Sequence, residues 1–361
     1  MAARINLLDF TPAEATDRLK AWCAEHGEAA YRADQVVRHL WVQPAADFEG
    51  ISTLPKALRT KLAEFFYIGR LELVARQKSE DGTQKFLFKL FDGEQIETVA
   101  IPDGDRMTLC VSSQAGCALK CAFCATGAMG FVRNLTAGEI AGQVRELQLL
   151  ADGAITATNI VFMGMGEPLM NWKAVEKALT ILNNELGFGI GARHITISTV
   201  GVLPGIVALG KRPEQFRLAI SIHAPTDDLR ARLMPVNTKY PLDKVIEAAK
   251  VFDRRVTFEY VMLGGVNDGP EHALQLAKLA KDCAAFVNLI PLHPGGGQGF
   301  KPTPRDEIVD FARELRHEGI ETATRKSRGI DIAAACGQLR VERLGRRAPR
   351  GAEQDGHVEI A

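Results

Sequence analysis

Cys117-Ala-Leu-Lys-Cys121-Ala-Phe-Cys124 sets three thiols at C-x₃-C-x₂-C spacing, in a polar, turn-prone loop between Gly116 and Thr126. Structural zinc normally closes its shell with four ligands, so three close cysteines suit an iron–sulfur cluster better. A [4Fe–4S] cube held by three thiolates leaves one iron without a protein ligand. That iron can bind a small molecule and pass it an electron. A zinc site completed by a distant His or Cys is the alternative reading.

Outward from this loop the chain repeats strand, loop and helix. Strands are expected at 108–112, 159–163, 194–199, 216–222, 256–262 and 286–291, with helices near 137–150, 172–186, 202–210, 241–252, 270–282 and 304–318. Parallel neighbours need crossover helices, so this alternation predicts an α/β fold with a partial (β/α)6-type barrel. The cysteine loop, Met163-Gly-Met-Gly-Glu-Pro168, Ser198, Ser221-Ile222-His223 and His293 all fall just after an expected strand. In parallel folds those strand ends build the active face.

Upstream, residues 1–68 read as a small helical N-terminal domain: a capping box at Thr11 and Glu14, then helices over 31–41 and 54–66. Residues 69–106 alternate as a short β linker with a turn at Phe91-Asp-Gly-Glu94, and 107–340 form the barrel. Residues 341–361 are a basic, then polar, tail, with disorder expected over 346–361.

The 361 residues carry no formal net charge and 46% hydrophobic residues, so any nucleic-acid contact must come from local patches. No apolar run approaches the about 18 residues of a membrane span, and no secretory signal is read. Seven cysteines without export signals point to a reducing cytoplasm, where ligands and reactive thiols are commoner than structural disulfides.

With these motifs in order, the chain resembles the RlmN/Cfr family of radical S-adenosylmethionine (SAM) adenosine methyltransferases over about residues 5–340. The resemblance rests on Gln95-Ile-Glu97-Thr, Leu109-Cys110-Val-Ser-Ser-Gln-Ala-Gly-Cys117, Gly164-Met-Gly-Glu-Pro168, Ser221-Ile-His-Ala224 and Asp331-Ile-Ala-Ala-Ala-Cys336-Gly-Gln. It implies a radical SAM barrel, a [4Fe–4S] cluster on Cys117, Cys121 and Cys124, and SAM contacts from Gly166, Glu167, Ser198, Ser221, Ile222, His223 and His293. Substrates implied are 23S rRNA and tRNA, with a flavodoxin or ferredoxin as electron donor, acting on a monomer.

Adenine C2 is electron-poor and cannot attack a methyl sulfonium. The resemblance implies a detour through two SAM molecules. Cys336 first takes a methyl group; a radical made from the second SAM activates it, and the methylene adds to C2. Glu97 is then the implied base for the C2 proton, and Cys110 attacks the Cys336 sulfur, leaving a disulfide. Taken alone, Cys110 and Cys336 read as small buried hydrophobes and Glu97 as a solvent-facing strand residue. Arg325-Lys-Ser-Arg328 could lower the Cys336 pKa.

The chain departs from its relatives at Pro291-Leu-His293-Pro294, where most have Asn in place of His293, a side chain of different shape and protonation. Gly130-Phe-Val-Arg-Asn-Leu135 favours C2 over the C8 of the Cfr branch. Residues 55–78 hold six Lys or Arg against Glu64 and Glu72, an excess that suits phosphate contacts or a solvated face.

Overall fold

The computed structural model describes residues 4–150, 153–293, 299–335 and 337–339, together with the backbone of 359–360. Thr11 starts the first helix as the sequence implies. Its Oγ1 accepts the Glu14 N–H at 3.3 Å, and its own N–H donates to Glu14 Oε2 at 2.9 Å. A capping box of this kind satisfies two otherwise orphaned helix N–H groups, each cap worth about 1 kcal/mol.

After a two-residue strand β1 (Ile5–Asn6) come α1 (Pro12–Glu25), α2 (Tyr31–Trp41) and α3 (Lys56–Phe65). Strand β2 (Phe66–Tyr67) returns to pair with β1. These elements bury Leu19, Trp22, Val36, Leu40, Trp41 and Leu62 in a second core, which Ala137, Ala141 and Ile181 from the later part of the chain help to close. An antiparallel unit follows: β3 (Glu72–Lys78), β4 (Gln84–Lys89), β5 (Gln95–Asp103) and β6 (Arg106–Cys110).

The cysteine loop sits between β7 (Gln114–Gly116) and β8 (Phe131–Asn134), with the short α4 (Ala125–Met129) inside it. Helix α5 (Ala137–Gln148) then opens the alternating part: β9 (Asn159–Phe162), α6 (Trp172–Asn183), β10 (Ile195–Thr199), α7 (Leu203–Gly210) and β11 (Arg217–Ser221). It continues through α8 (Asp227–Leu233), α9 (Leu242–Val251), β12 (Val256–Met262), α10 (Pro270–Asp282), β13 (Phe286–Pro291), α11 (Arg305–His317) and β14 (Thr322–Thr324).

Strands β6, β9, β10, β11, β12, β13 and β14 lie side by side and parallel, covered by the crossover helices. Runs such as Leu-Ala-Ile in β11 are buried on both faces, as parallel sheets require. The short β14 adds a seventh strand that periodicity did not reveal. Beyond β6 the same sheet continues antiparallel through β5, β4 and β3. A last strand, β15 (Glu359–Ile360), lies antiparallel to β3, which corrects the expected disorder at those two positions; the rest of that tail lies outside the described residues.

Arg145 of α5 ties the barrel to the N-terminal helices. It is fully buried and donates from Nε to Leu40 O at 2.9 Å and from a terminal nitrogen to Ala45 O. Burial draws its pKa down to about 10. No helix among the described residues is long and apolar enough to cross a membrane.

Candidate active site

The cysteine loop needs a left-handed backbone. Gly116 has φ +73°, and a Cβ there would lie 1.9 Å from the Gly130 carbonyl oxygen, so only glycine fits. That closeness lets the Cys117 N–H reach Gly130 O at 2.9 Å, which pins the two ends of the loop together. Ala122 N donates to Leu233 O at 2.9 Å, and Ala125 N to Gly337 O at 2.8 Å.

One cleft at the C-terminal strand ends is lined by Cys117, Cys121 and Cys124, and across from them by Gly166, Glu167, Ser198, Ser221 and His223. Ser198 lies inside β10 and Ser221 closes β11, rather than following the strands. Two expected SAM contacts are not brought to this cleft. Ile222 is fully buried in the core, and His293 bonds Ser327 through Nε2 instead. Phe123 packs edge-on against His223, with ring centroids 4.7 Å apart.

Glu167 is nearly inaccessible; its Oε1 accepts Leu169 N–H at 3.0 Å and its Oε2 accepts Val200 N–H at 2.9 Å. Burial pushes its pKa up to about 7 despite these bonds. Gly166, at φ +97°, is packed against its neighbour: a Cβ would sit 2.5 Å from Gln114 Cβ. Gln114 Oε1 in turn accepts the Glu167 N–H at 2.8 Å.

His223 has φ +55° and is held neutral, its pKa lowered to about 3 by burial and then by Arg230. Nδ1 accepts the Val261 N–H at 3.0 Å, which assigns the proton to Nε2.

The donor set suits an iron–sulfur cluster. Burial pushes the Cys117 thiol up to about 11 and Cys121 higher still, with the neighbouring Cys124 thiol also raising both. Such thiols ionise only when a bound metal supplies the opposing charge. Among the described residues no three His, Cys, Asp or Glu side chains gather about one metal ion. Three thiolates leave the four-ligand shell of a structural zinc incomplete, whereas a cube with one open iron needs only three.

A second constellation lies on the antiparallel side of the sheet. Val99 is paired with Lys85 of β4 on one side and with Cys110 of β6 on the other. Directly opposed residues share a face, and Glu97, two residues from Val99, shares it too. Glu97 is buried, correcting the solvent-facing expectation, and its Oε1 lies 3.0 Å from Lys85 Nζ. Ser112 links the two sites: its hydroxyl donates to Glu97 O at 2.6 Å and accepts the Met165 N–H at 2.9 Å.

Cys336 lies outside the described residues, so the expected disulfide to Cys110 and the effect of residues 325–328 on Cys336 fall outside them too. Among the described residues no disulfide forms. The flanks of position 336 are described. Upstream, Ala333 O accepts from Lys85 Nζ at 3.4 Å; downstream, Gly337 lines the cysteine cleft and Thr126 Oγ1 donates to Leu339 O at 2.6 Å.

A parallel strand array carrying three thiols of this spacing at its C-terminal edge defines a radical SAM enzyme, and the Radical SAM superfamily model matches residues 111–277. The cofactors are a [4Fe–4S] cluster and SAM. A second family model, the ribosomal RNA large subunit methyltransferase N-terminal domain, matches residues 5–68. The chain is 68% identical to a probable dual-specificity RNA methyltransferase RlmN of Gemmatimonas aurantiaca, over 99% of each protein. It is 45% identical to the dual-specificity RNA methyltransferase RlmN of Anaeromyxobacter dehalogenans, over 90% of each. The crystal structure of a radical SAM methyltransferase from Sphaerobacter thermophilus superposes with a TM-score of 0.88 at 45% identity, covering 94% of this chain and 100% of that one. The chain belongs to the RlmN family of radical SAM methyltransferases.

Three residues that sequence reading passed over shape the site. Arg230, fully buried, donates to Ile222 O at 3.3 Å, Asn237 Oδ1 at 2.6 Å, Tyr240 O at 3.2 Å and Val200 O at 2.5 Å. Glu259 lines the cleft and accepts from Asn288 at 2.9 Å; burial raises its pKa and Arg325 opposes that. Lys85 is the third. Glu259 in the apolar run Val-Thr-Phe-Glu-Tyr-Val-Met carried a signal, since a carboxylate there must be paired or functional. Arg230 and Lys85 carried none.

Proposed function

We propose that the chain methylates C2 of an adenosine in 23S rRNA and in tRNA, using two SAM molecules and a methylated Cys336. The single observation that carries this reading is the position of the segments flanking residue 336. One flank borders the cysteine cleft at Gly337, and the other meets the Glu97–Cys110 face at Ala333. A methyl carrier must visit both places, because activation and product release need different partners.

When bound, the cluster and SAM supply a one-electron cleavage that activates the carried methyl group. Cys117, Cys121 and Cys124 hold the cluster, while Glu167, Ser198, Ser221 and His223 shape the SAM side of the cleft. The Glu167 carboxylate has accepting capacity beyond its two backbone bonds, enough for an ammonium. Glu97, as the buried carboxylate, takes the C2 proton; Cys110, on the same face, attacks the Cys336 sulfur, so a transient disulfide forms as the S–CH2 bond breaks, and the departing carbon takes the electron pair and a proton to become the methyl group of the freed RNA.

Residues 1–68 serve as the RNA-binding accessory domain, 69–106 as the β linker and 107–340 as the barrel, with 341–361 a tail. Within 55–78 the basic excess is partly engaged internally. Arg59 donates to Glu49 O at 2.7 Å, Lys61 to His26 O at 3.0 Å, and Arg70 pairs with Glu146 at 2.8 Å. Arg76 donates to Gln84 Oε1 at 2.8 Å, so phosphate contacts in that stretch fall to Lys56 and Lys78, both exposed. The protein works as a cytoplasmic monomer reduced by a flavodoxin or ferredoxin.

Replacing Cys336 with Ala tests the reading. SAM cleavage should continue while methylated adenosine vanishes from the RNA. Methylated product from that variant would contradict it.

A further inference from the structure

Lys85 lies at the junction of the two halves of the site. It is largely buried, with 11% of its side chain exposed, and it sits on β4 facing the same way as Glu97 and Cys110. Its ammonium reaches two acceptors from distant parts of the chain: Glu97 Oε1 at 3.0 Å and Ala333 O at 3.4 Å. Ala333 has φ +50°, a left-handed turn that an alanine adopts only when its surroundings hold it.

The neighbouring β3–β4 turn grips the same segment. Ser79 Oγ donates to Asp331 Oδ1 at 2.5 Å and Gly329 N to Asp81 Oδ2 at 3.0 Å. The segment leading to residue 336 is therefore fixed to the hairpin, and Lys85 joins that segment to Glu97. A surface lysine would do none of this; a buried one with two acceptors sets a distance.

We propose that Lys85 is a positioning residue that aligns the Glu97 carboxylate with the Cys336-bearing segment for release of the methylated RNA. This rests on the reading that Glu97 takes the C2 proton and Cys110 frees Cys336. Lys85 keeps its own protons throughout. Its loss leaves the earlier methylation of Cys336 intact, because that step happens at the other flank, beside the cysteine cleft.

The test uses cluster-loaded full-length protein, a 23S rRNA fragment, and the variants Lys85→Met, Lys85→Arg and Cys110→Ala. Cys336 methylation is read by peptide mass spectrometry, and the covalent protein–RNA species on denaturing gels. Lys85→Met should methylate Cys336 as the parent does yet release product about tenfold to a hundredfold more slowly, the cost of about 1 Å of misplacement. The covalent species should accumulate, and Lys85→Arg, which keeps the charge and both donors, should restore release. Parental release by Lys85→Met overturns the proposal. So does loss of Cys336 methylation in both Lys85 variants, which would mark a structural role. If Cys110→Ala forms no covalent species, the release reading itself fails and the proposal falls with it.

Discussion

Glu167 and Val200 meet across the mouth of the barrel: the carboxylate Oε2 accepts the Val200 N–H at 2.9 Å. The bond joins the loop after β9 to the loop after β10, beside the three cluster cysteines. Arg230 holds the carbonyl of the same Val200 at 2.5 Å, so one residue is gripped on both sides. A carboxylate this buried would be disfavoured without such donors.

Glu167 therefore makes stability depend on pH. Its pKa stands near 7 in the fold, raised by burial from the ordinary 4.5. Between those values the unfolded chain has lost a proton that the native chain keeps, so unfolding free energy falls as pH rises. The fall should begin near pH 4.5, end near 7, and amount to on the order of 3 kcal/mol. Urea unfolding of cluster-free protein across pH 4 to about 8 measures it, and Glu167→Gln should flatten the slope. An equal slope in that variant would assign it to another group.

His223 should not titrate during catalysis. Its pKa of about 3 keeps the ring neutral at every working pH, so no histidine inflection from it belongs in the pH–rate profile. Because its φ is +55°, His223→Asn should fold better than His223→Leu, by about 1 kcal/mol in unfolding free energy. A Leu variant as stable as the Asn variant would show that the backbone there is not strained.

Arg230→Met should be among the most damaging single changes outside the cluster ligands. It strands the Val200 carbonyl and Asn237 Oδ1 in the interior, at about 3 kcal/mol or more. The melting temperature should fall and SAM binding should weaken with it, since this side chain holds the backbone just after β10 and β11 beside the cleft. Calorimetry and SAM titration on one preparation check this together.

Asp81→Ala should loosen the segment before residue 336 without unfolding the barrel. Asp81 is held well acidic, near 2, because the hydrogen bonds from Thr83 and Gly329 outweigh the opposing effect of burial. Its bond to Gly329 is present above the ordinary Asp range and lost as pH falls toward 2. Limited proteolysis should show faster cutting near residues 328–333, with the melting temperature within a few degrees of the parent. Unchanged cutting would show that Asp331 and Lys85 hold the segment without it.

Much of the barrel was legible because its signals are local. Val256–Met262, Phe286–Pro291 and Pro270–Asp282 form at the expected positions, since apolar runs alternating with helical periodicity leave little choice. The cysteine spacing likewise exposed the cluster loop before any contact was known. The short β7–β8 pair was missed because its reason is tertiary: Gly116 admits the Gly130 carbonyl, which no periodicity reports. Glu97 looked like a surface residue because its partner Lys85 is brought in by strand register. Ile222 and His293 were expected at the cleft from their places near strand ends, yet one turns into the core and the other to Ser327.

The most direct test of the account is anaerobic turnover of cluster-loaded protein with methyl-deuterated SAM and a 23S rRNA fragment, followed by nucleoside mass spectrometry. The account expects 2-methyladenosine that has lost one deuterium of the transferred methyl group, as transfer through a methylene on Cys336 requires. A fully deuterated methyl group, or label at C8, would contradict it.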